Sequence, residues 1–474
     1  MTKNTALHAN NDLYETSLGY MFKLSAPMVV TTISMTLMQF VDRFMVSKLG
    51  TDALAAIWPA SLVAFLFGGF AMGAFTSLNT FVSQSLGRGN NTECSKYFWQ
   101  SVYMGLFYCI MVLIIIWPIA PLIFRIMMQP EGVAELEVIY LRILLYAHII
   151  AVLNWSSNHF FMGIHRPIIT MIAALSGQLI NIIVNYLLIF GNFGFPKLGI
   201  AGAGWGTFAG ISVAACINIS VYLSSRMNSA FQTKKTLKID TRKMRDLLRI
   251  GLPSGFVLTL NVGLWGVILS ALIGKFGKEA LAATSAVLSY TNLSIMPVVG
   301  ISISLTAAVG RIIGKGRKDL AIKQTNLCLK VALIYMGSMG ACFFLFRNSL
   351  MSFLSKDNQV INSGVDILIC AAFYQVFHAA RTIYGGTLRG AGDTPWMAVV
   401  SAFASVFILG VGGYLATKLL PSLGALGPWI AATLSVVAIG IAFHWRFKSN
   451  KWQEIDLFRH KPFDIPVETE PMRE

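Results

Sequence analysis

Long, continuous stretches of apolar residues separated by short polar segments make up most of the chain. Twelve such stretches have centres near residues 33, 67, 110, 149, 179, 212, 262, 295, 335, 375, 407 and 436. Each has the length of about 20 residues that a helix needs to cross the hydrocarbon core of a bilayer. None alternates between apolar and polar positions, as the strands of a membrane barrel do. The pattern predicts an all-α polytopic membrane protein with twelve transmembrane helices.

Composition and charge agree with this prediction. Of the 474 residues, 55% are hydrophobic and 12% are charged, whereas a soluble domain has about 25% charged residues. A soluble enzyme of two or three domains is therefore excluded. The net charge of +16 could indicate nucleic-acid binding, but about 25 of the 37 basic residues lie in one set of alternate loops and in the two tails. Cytoplasmic loops carry such an excess, so we expect an inner (plasma) membrane protein with both termini in the cytoplasm and no nucleic-acid partner.

The two halves of the sequence repeat each other. KLGTDALAA at 48–56 matches KFGKEALAA at 275–283, and Pro27 matches Pro253. SLGRGN matches IIGKGR, GIHRP matches GAGDTP, and FPKLGIAG matches LPSLGALG, all at offsets of 225 to 227. An even number of helices per unit makes the repeat parallel, as in transporters that move two bundles about a midplane site. The predicted organisation is a tail at 1–20, an amino lobe at 21–225, a basic linker at 226–250, a carboxy lobe at 251–447 and a tail at 448–474.

Asp42 is the clearest candidate for chemistry, because it is an acid within an apolar stretch. A charge in a membrane is costly and marks a functional site by default. Its position is about 30 Å along the first helix, toward the outer half. Pro27, 15 residues earlier, removes a backbone hydrogen bond and allows the helix to bend. Two interpretations stay open: a carboxylate paired with an outer base such as Lys48, and a carboxylate that binds and releases a cation.

Neutral polar side chains accompany this acid in the first half. Asn181 and Asn185 are four residues apart, on one face of the fifth helix. Thr207 lies on the sixth helix in a strip of small residues that lets helices approach closely. These amides could line a site or could only bond neighbouring helices together. Asn154 and Asn158 form a similar pair on the fourth helix.

Polar groups in the second half lie on the tenth helix. Gln375, His378 and Arg381 form one polar patch there, for which both a satisfied core cluster and a cavity lining are open. The six cysteines are scattered and form no paired motif, which predicts neither a disulfide framework nor a metal site. No phosphate-binding loop or catalytic motif occurs. We therefore expect no enzyme activity, no cofactor and no ATPase subunit.

These motifs together resemble the multidrug and toxic compound extrusion (MATE) family, closest to its NorM-like and DinF-like branches. The resemblance lies in VDRFMVSKLG, SQSLGRGN, NIIVNYLLIFG, LGIAGAGWGT and GGTLRGAGDTP and spans roughly residues 15–450. It implies two six-helix lobes, a bending proline at Pro27, and a cation-coupling site for H⁺ or Na⁺ at Asp42, Asn181, Asn185 and Thr207. The residues expected to line a substrate cavity are Gln39, Asn154, Asn158, Asn261, Gln375 and His378.

The second lobe departs from the NorM-like pattern. Asn261 and His378 stand where that branch has acids, so coupling is expected to rest on the amino lobe, with His378 lining the cleft. The expected function is antiport by alternating access: export of organic, cationic and amphipathic solutes in exchange for H⁺ or Na⁺, by a monomer that contacts only small molecules and membrane lipid. The alternative is a lipid-linked oligosaccharide or lipid flippase of the same superfamily, which would use Arg142, Lys330 and Arg381 to hold a pyrophosphate. A membrane-embedded transferase lacks the residues it would need.

Overall fold

Helices form almost the entire described chain. The structure, a computed structural model, describes residues 17–127, 130–263, 265–266 and 269–458, and no strand occurs within these ranges. The first half contains six long helices: α1 (Leu18–Ser47), α2 (Thr51–Gly87), α3 (Asn91–Ile126), α4 (Glu131–Gly163), α5 (Pro167–Phe190) and α6 (Ile200–Tyr222).

The second half contains six corresponding helices. They are α7 (Thr241–Gly263), α8 (Lys278–Gly314), α9 (Lys318–Leu345), α10 (Asn358–Ala391), α11 (Thr394–Leu419, with a π-helical stretch at Ala404–Gly412) and α12 (Leu426–Lys448). Shorter helices occupy Ser225–Phe231, Leu269–Gly274 and Arg347–Leu354.

Eleven of the described helices are long and apolar enough to cross a membrane. The remaining one of the twelve, α7, begins in a segment rich in Lys and Arg and is followed by residues that lie partly outside the described ranges. The prediction of an all-α polytopic membrane protein is confirmed, and the twelve apolar stretches correspond to α1–α12. Because α7 begins at Thr241, part of the segment predicted as a linker is helical.

The internal repeat is visible in the backbone. Helices α2 and α8 both contain 37 residues, and each follows a glycine with positive φ, Gly50 at 118° and Gly277 at 100°. Gly199 and Gly424, which precede α6 and α12, have φ values of 57° and 53°. Left-handed conformations of this kind favour glycine, since a Cβ atom would be strained there. The same special conformations at equivalent positions confirm the repeat that the sequence predicts.

The two halves share a hydrophobic cluster at one end of the helices and have separate clusters at the other. At the joined end, where Gly87 and Gly314 lie, one hydrophobic cluster combines Met21 and Leu24 with residues of α8 and α10. At the opposite end, which we call the open end, each half has a separate cluster, one around Val46 in the first half and another in the second. Helices α2 and α7 of the two halves remain in contact beyond the middle of α2, where Thr259 donates to the carbonyl of Leu66 at 3.4 Å.

Close contacts between equivalent glycines hold the joined end together. A Cβ atom added to Gly87 would lie 2.9 Å from the Cα of Gly314, and one added to Gly314 would lie 3.0 Å from the Cα of Gly87. Beside this crossing, the Gln84 amide donates to the carbonyl of Gly390 at 2.9 Å. Backbone packing at this distance is possible only between residues without side chains.

His165 connects three segments at the joined end. It lies in the short loop between α4 and α5, and its Nδ1 is 2.6 Å from the hydroxyl of Tyr20 on α1. Its Nε2 is 3.1 Å from the carbonyl oxygen of Ala307 on α8. The imidazole therefore bridges the two halves of the chain.

Candidate functional site

Four of the residues predicted from the sequence form one hydrogen-bonded chain near the open end. Asn185 Nδ2 donates to Asp42 Oδ1 at 2.6 Å and to Asn181 Oδ1 at 2.9 Å. Asn181 Nδ2 in turn lies 3.4 Å from Thr207 Oγ1. Asn185 is completely buried and Asn181 is 4% exposed. The structure thus brings together side chains from α1, α5 and α6.

The direction of these hydrogen bonds determines what the cluster can do. Asn185 donates to both Asp42 and Asn181. Asn181 donates away from Asp42, to Thr207, and Thr207 donates to the carbonyl of Ala203 on its own helix. Asp42 therefore only accepts, and its carboxylate is the one group among these four side chains that can take up a proton. The buried Oδ1 of Asn185 has no hydrogen-bond partner among the described residues. Carboxylate, amide and hydroxyl oxygens are also suitable ligands for a hard cation such as Na⁺.

Glycines on α6 allow this cluster to form. A Cβ atom added to Gly206 would lie 1.9 Å from Asn185 Oδ1, and one added to Gly210 would lie 2.9 Å from Asn181 Cβ. Gly177 on α5 faces Gly210 in the same way. The small-residue strip seen in the sequence is thus the surface against which both asparagines pack.

Tyr140 is a neighbour of this site that the sequence analysis did not single out. This α4 residue is 5% exposed, and its hydroxyl lies beside Ser61 and Thr207 and near Asp42. It extends the polar cluster from α5 and α6 to α2 and α4. A tyrosine in an apolar helix gives no distinctive signal in a single sequence, since tyrosines commonly pack in helical cores.

Asn154 and Asn158 are joined by a third asparagine. Asn218 Nδ2, on α6, donates to Asn154 Oδ1 at 2.8 Å and to Asn158 Oδ1 at 3.1 Å. Asn218 is completely buried, and its own Oδ1 has no partner among the described residues. Asn154 and Asn158 therefore lie close together, as predicted. The sequence did not reveal Asn218, because its amide partners lie on another helix.

Pro27 lies inside α1, which continues as one helix from Leu18 to Ser47. The hydroxyl of Thr31 donates to the carbonyl of Pro27 at 2.8 Å. On both sides of Pro27, α1 contacts α8: Ser304 donates to the carbonyl of Leu24, and Thr32 donates to that of Met296. The segment around Pro27 therefore packs against the other half, while Asp42 lies beyond these contacts.

The predicted residues of the second half make three separate contacts. Asn261 Oδ1 accepts a hydrogen bond from Ser405 at 3.2 Å, which links α7 to α11. Gln375 is completely buried and donates to Ser294 on α8 at 2.7 Å. His378 Nδ1 lies 3.1 Å from the Thr382 hydroxyl, one turn along α10. Within the described ranges, no hydrogen bond joins these three residues to one another.

Gln39, the remaining residue predicted to line a cavity, is exposed on α1 between Pro27 and Asp42. Its side chain makes no hydrogen bond to another residue in the part of the chain that the structure describes.

Comparison with known proteins identifies the family. The MatE family model matches this chain twice, at residues 27–187 and 253–415. The chain belongs to the MatE family. Its two matches coincide with the two repeated halves. Members of the family are membrane transporters, so this protein is a transporter and not an enzyme.

Curated relatives agree over most of the chain. The "probable multidrug resistance protein NorM" of Halalkalibacterium halodurans is 28% identical over 425 residues, which cover 89% of this chain and 92% of that protein. The protein with the same description from Bacillus subtilis is 27% identical, with coverage of 88% and 92%.

Solved structures show the same fold. A structure described as the "outward-facing conformation of a multidrug resistance MATE family transporter" has a TM-score of 0.83 at 20% identity, covering 92% of this chain and 96% of that one. A MATE crystal structure "in the bent conformation" has a TM-score of 0.84 at 19% identity, with coverage of 94% and 98%.

Proposed function

We propose that this MATE transporter is a secondary antiporter that exports organic, cationic and amphipathic compounds in exchange for H⁺ or Na⁺. The observation that carries the proposal is the hydrogen-bonded chain that ends at Asp42. A carboxylate held by neutral amides inside a membrane can bind one cation and must release it before it binds another. The names of the curated relatives, which describe multidrug resistance, support the substrate class.

The arrangement of the halves supports alternating access. The halves share one hydrophobic cluster at the joined end and have separate clusters at the open end, where Asp42 lies. In our proposal, cation binding at Asp42 and substrate binding in the cleft alternate, because the site faces one side of the membrane at a time. The positive-inside pattern assigns the joined end to the cytoplasm.

The flippase alternative gains no support from two of the basic residues that it would use. Arg142 lies over the ring of Trp117, with its guanidinium carbon 4.1 Å from the ring centroid. Lys330 is exposed on α9. Neither side chain is placed to hold a pyrophosphate between the lobes, and only Arg381 remains for that role.

Transport into inverted membrane vesicles tests the proposal. Uptake of a fluorescent organic cation would be followed with a pH gradient and a Na⁺ gradient imposed separately. Antiport predicts uptake that depends on one of the two gradients and stops when that gradient is dissipated. Uptake that proceeds equally without either gradient would contradict it.

A single substitution tests the role of Asp42. Asp42→Asn keeps the size of the side chain and removes the charge, so we expect gradient-driven uptake to collapse while the protein still inserts into the membrane. The matched control is Asp52→Asn, an identical chemical change at an exposed position in the first turn of α2, which should retain uptake. Normal uptake by Asp42→Asn at equal expression would refute the assignment.

A further inference from the structure

Three basic side chains lie close together on α10. His378, Arg381 and Arg389 are near enough that the charge of Arg381 acts on both of the others. Arg389 donates to the hydroxyl of Ser302 on α8 at 3.0 Å. Arg381 lies about 15 Å from the end of α10 at Ala391, well inside the membrane-spanning helix.

The guanidinium of Arg381 does not face lipid. With 100° of rotation per residue, Tyr374, His378 and Arg381 lie on one face of α10. Phe373 and Val376, which are 60% and 42% exposed, mark a different face. Tyr374 is only 2% exposed, so the face that it shares with Arg381 is directed into the protein.

Arg381 has no counter-ion. In the described ranges, no ion pair and no hydrogen bond reaches its guanidinium. Asp366, an acid on the same helix, is 15 residues away, or about 22 Å along the axis. The other acids that could approach are held elsewhere: Glu279 by Lys278, Asp319 by Arg317 and Asp393 by Arg446. An unpaired charge at this depth is costly, so an anion that reached it would be strongly favoured.

Aromatic side chains continue from the same face of α10. The rings of Tyr374 and Trp265 have centroids 6.5 Å apart, and Trp265 is also 6.5 Å from Trp429. Asn261 precedes Trp265 by four residues, and its bond to Ser405 connects it to α11. Tyr374 and Trp429 are buried, whereas Trp265 is half-buried, so Trp265 is the ring of this set that remains accessible to an organic molecule with a ring system and an acidic group.

We propose that Arg381 binds the acidic group of the transported solute, so that the preferred substrates carry a carboxylate or a similar anion beside their cationic, amphipathic part. This inference rests on the proposed export function and refines its substrate class. In this proposal, Asp42 in the amino lobe binds the coupling cation, whereas Arg381 in the carboxy lobe binds the negatively charged group of the substrate. The absence of acids at Asn261 and His378 is consistent with this division, because an acid there would neutralise Arg381.

Two dyes with one ring system provide the test. Rhodamine 123 is the methyl ester of rhodamine 110, so the two differ only in whether a carboxylate is free. Binding to the purified full-length protein would be measured by fluorescence anisotropy, and uptake would be measured in inverted vesicles. We expect rhodamine 110 to bind at least about tenfold more tightly, the effect of one hydrogen-bonded ion pair.

Variants separate Arg381 from general effects on folding. Arg381→Gln should weaken rhodamine 110 binding about tenfold and leave rhodamine 123 binding unchanged, while Arg381→Lys should keep part of the preference. The control is Arg242→Gln, which removes an exposed guanidinium from the first turn of α7 and should change neither affinity. Unchanged rhodamine 123 binding shows that the variant is folded.

The outcomes for binding and transport are distinguishable. Equal affinity of the wild type for both dyes, or an equal loss for both dyes in Arg381→Gln, would overturn the inference while gradient-driven uptake could still support the antiporter. A preference for rhodamine 110 that requires Arg381, without gradient-driven uptake of either dye, would support the binding site and refute the proposed export function.

Discussion

Replacing Gly206 by alanine should alter the candidate cation site by moving one side chain. The added Cβ would lie 1.9 Å from Asn185 Oδ1 and 2.8 Å from its Cγ, so the Asn185 side chain must rotate away. Rotation breaks its bonds to Asp42 and Asn181. A hydrogen bond to a charged group contributes about 1.5–3 kcal/mol. Its loss destabilises the cation-free carboxylate, so Asp42 should bind the coupling cation about 10- to 100-fold more tightly and release it less readily.

The effect on stability is smaller, because two contributions oppose each other. Alanine stabilises a helix interior by about 0.5–1 kcal/mol relative to glycine, whereas overpacking costs about 1–3 kcal/mol. The matched control is Gly337→Ala on α9, where an added Cβ meets no atom within 4 Å. That variant should be slightly more stable than the wild type and have normal cation affinity.

The assay combines two measurements on each variant. Thermal unfolding in detergent reports stability, and the ion concentration that gives half-maximal uptake in proteoliposomes reports cation affinity. Gly206→Ala should remain folded with a half-maximal concentration lowered about 10-fold or more. If its cation dependence equals that of Gly337→Ala, Asn185 does not stabilise the charged Asp42, and the reasoning from the hydrogen bonds is wrong.

Two further predictions concern α1 and the joined end. Pro27→Ala restores an N–H that can complete the α1 backbone ladder, so substrate binding should persist while the initial rate of transport falls; unchanged transport would make the proline purely structural. Burial, together with the nearby Arg311, lowers the pKa of His165 to about 3. Because this pKa lies below the unfolded value of about 6.5, His165 should lower stability by up to about 1.4 kcal/mol per pH unit as the pH falls below 6.5. His165→Gln should therefore lose less stability than the wild type between pH 7 and pH 5 in thermal unfolding, and an identical loss would contradict this.

Hydropathy was sufficient to predict the helices, because a membrane-spanning helix must be apolar over its whole length. The candidate cluster was also accessible from the sequence: Asp42 is an isolated acid, and Asn181 and Asn185 have helical spacing. The internal repeat additionally predicted that the two halves form equivalent bundles of six helices. These signals are all local or periodic, which is why a single sequence reveals them.

Residues that enter a site from a distant helix left no such signal. Asn218 and Tyr140 are single polar groups whose partners lie on other helices, so no spacing identifies them. Arg389 was not singled out from the sequence, although its side chain donates to the hydroxyl of Ser302. The crossing of α2 and α8 at the joined end depends on packing between helices, which the sequence of either helix alone does not determine.

The contact between Gly87 and Gly314 has a consequence for how the molecule is assembled. These residues occupy equivalent positions in the two repeats, and each excludes a side chain from the other. A contact between the same position on two similar units is isologous, the type found across the twofold axis of a homodimer. The joined end is thus a dimer interface enclosed within a single polypeptide. Its two surfaces can diverge in sequence elsewhere, but at this crossing both residues must remain glycine, because an added Cβ on Gly87 would also clash with the carbonyl oxygen of Arg311 and one on Gly314 with that of Gln84.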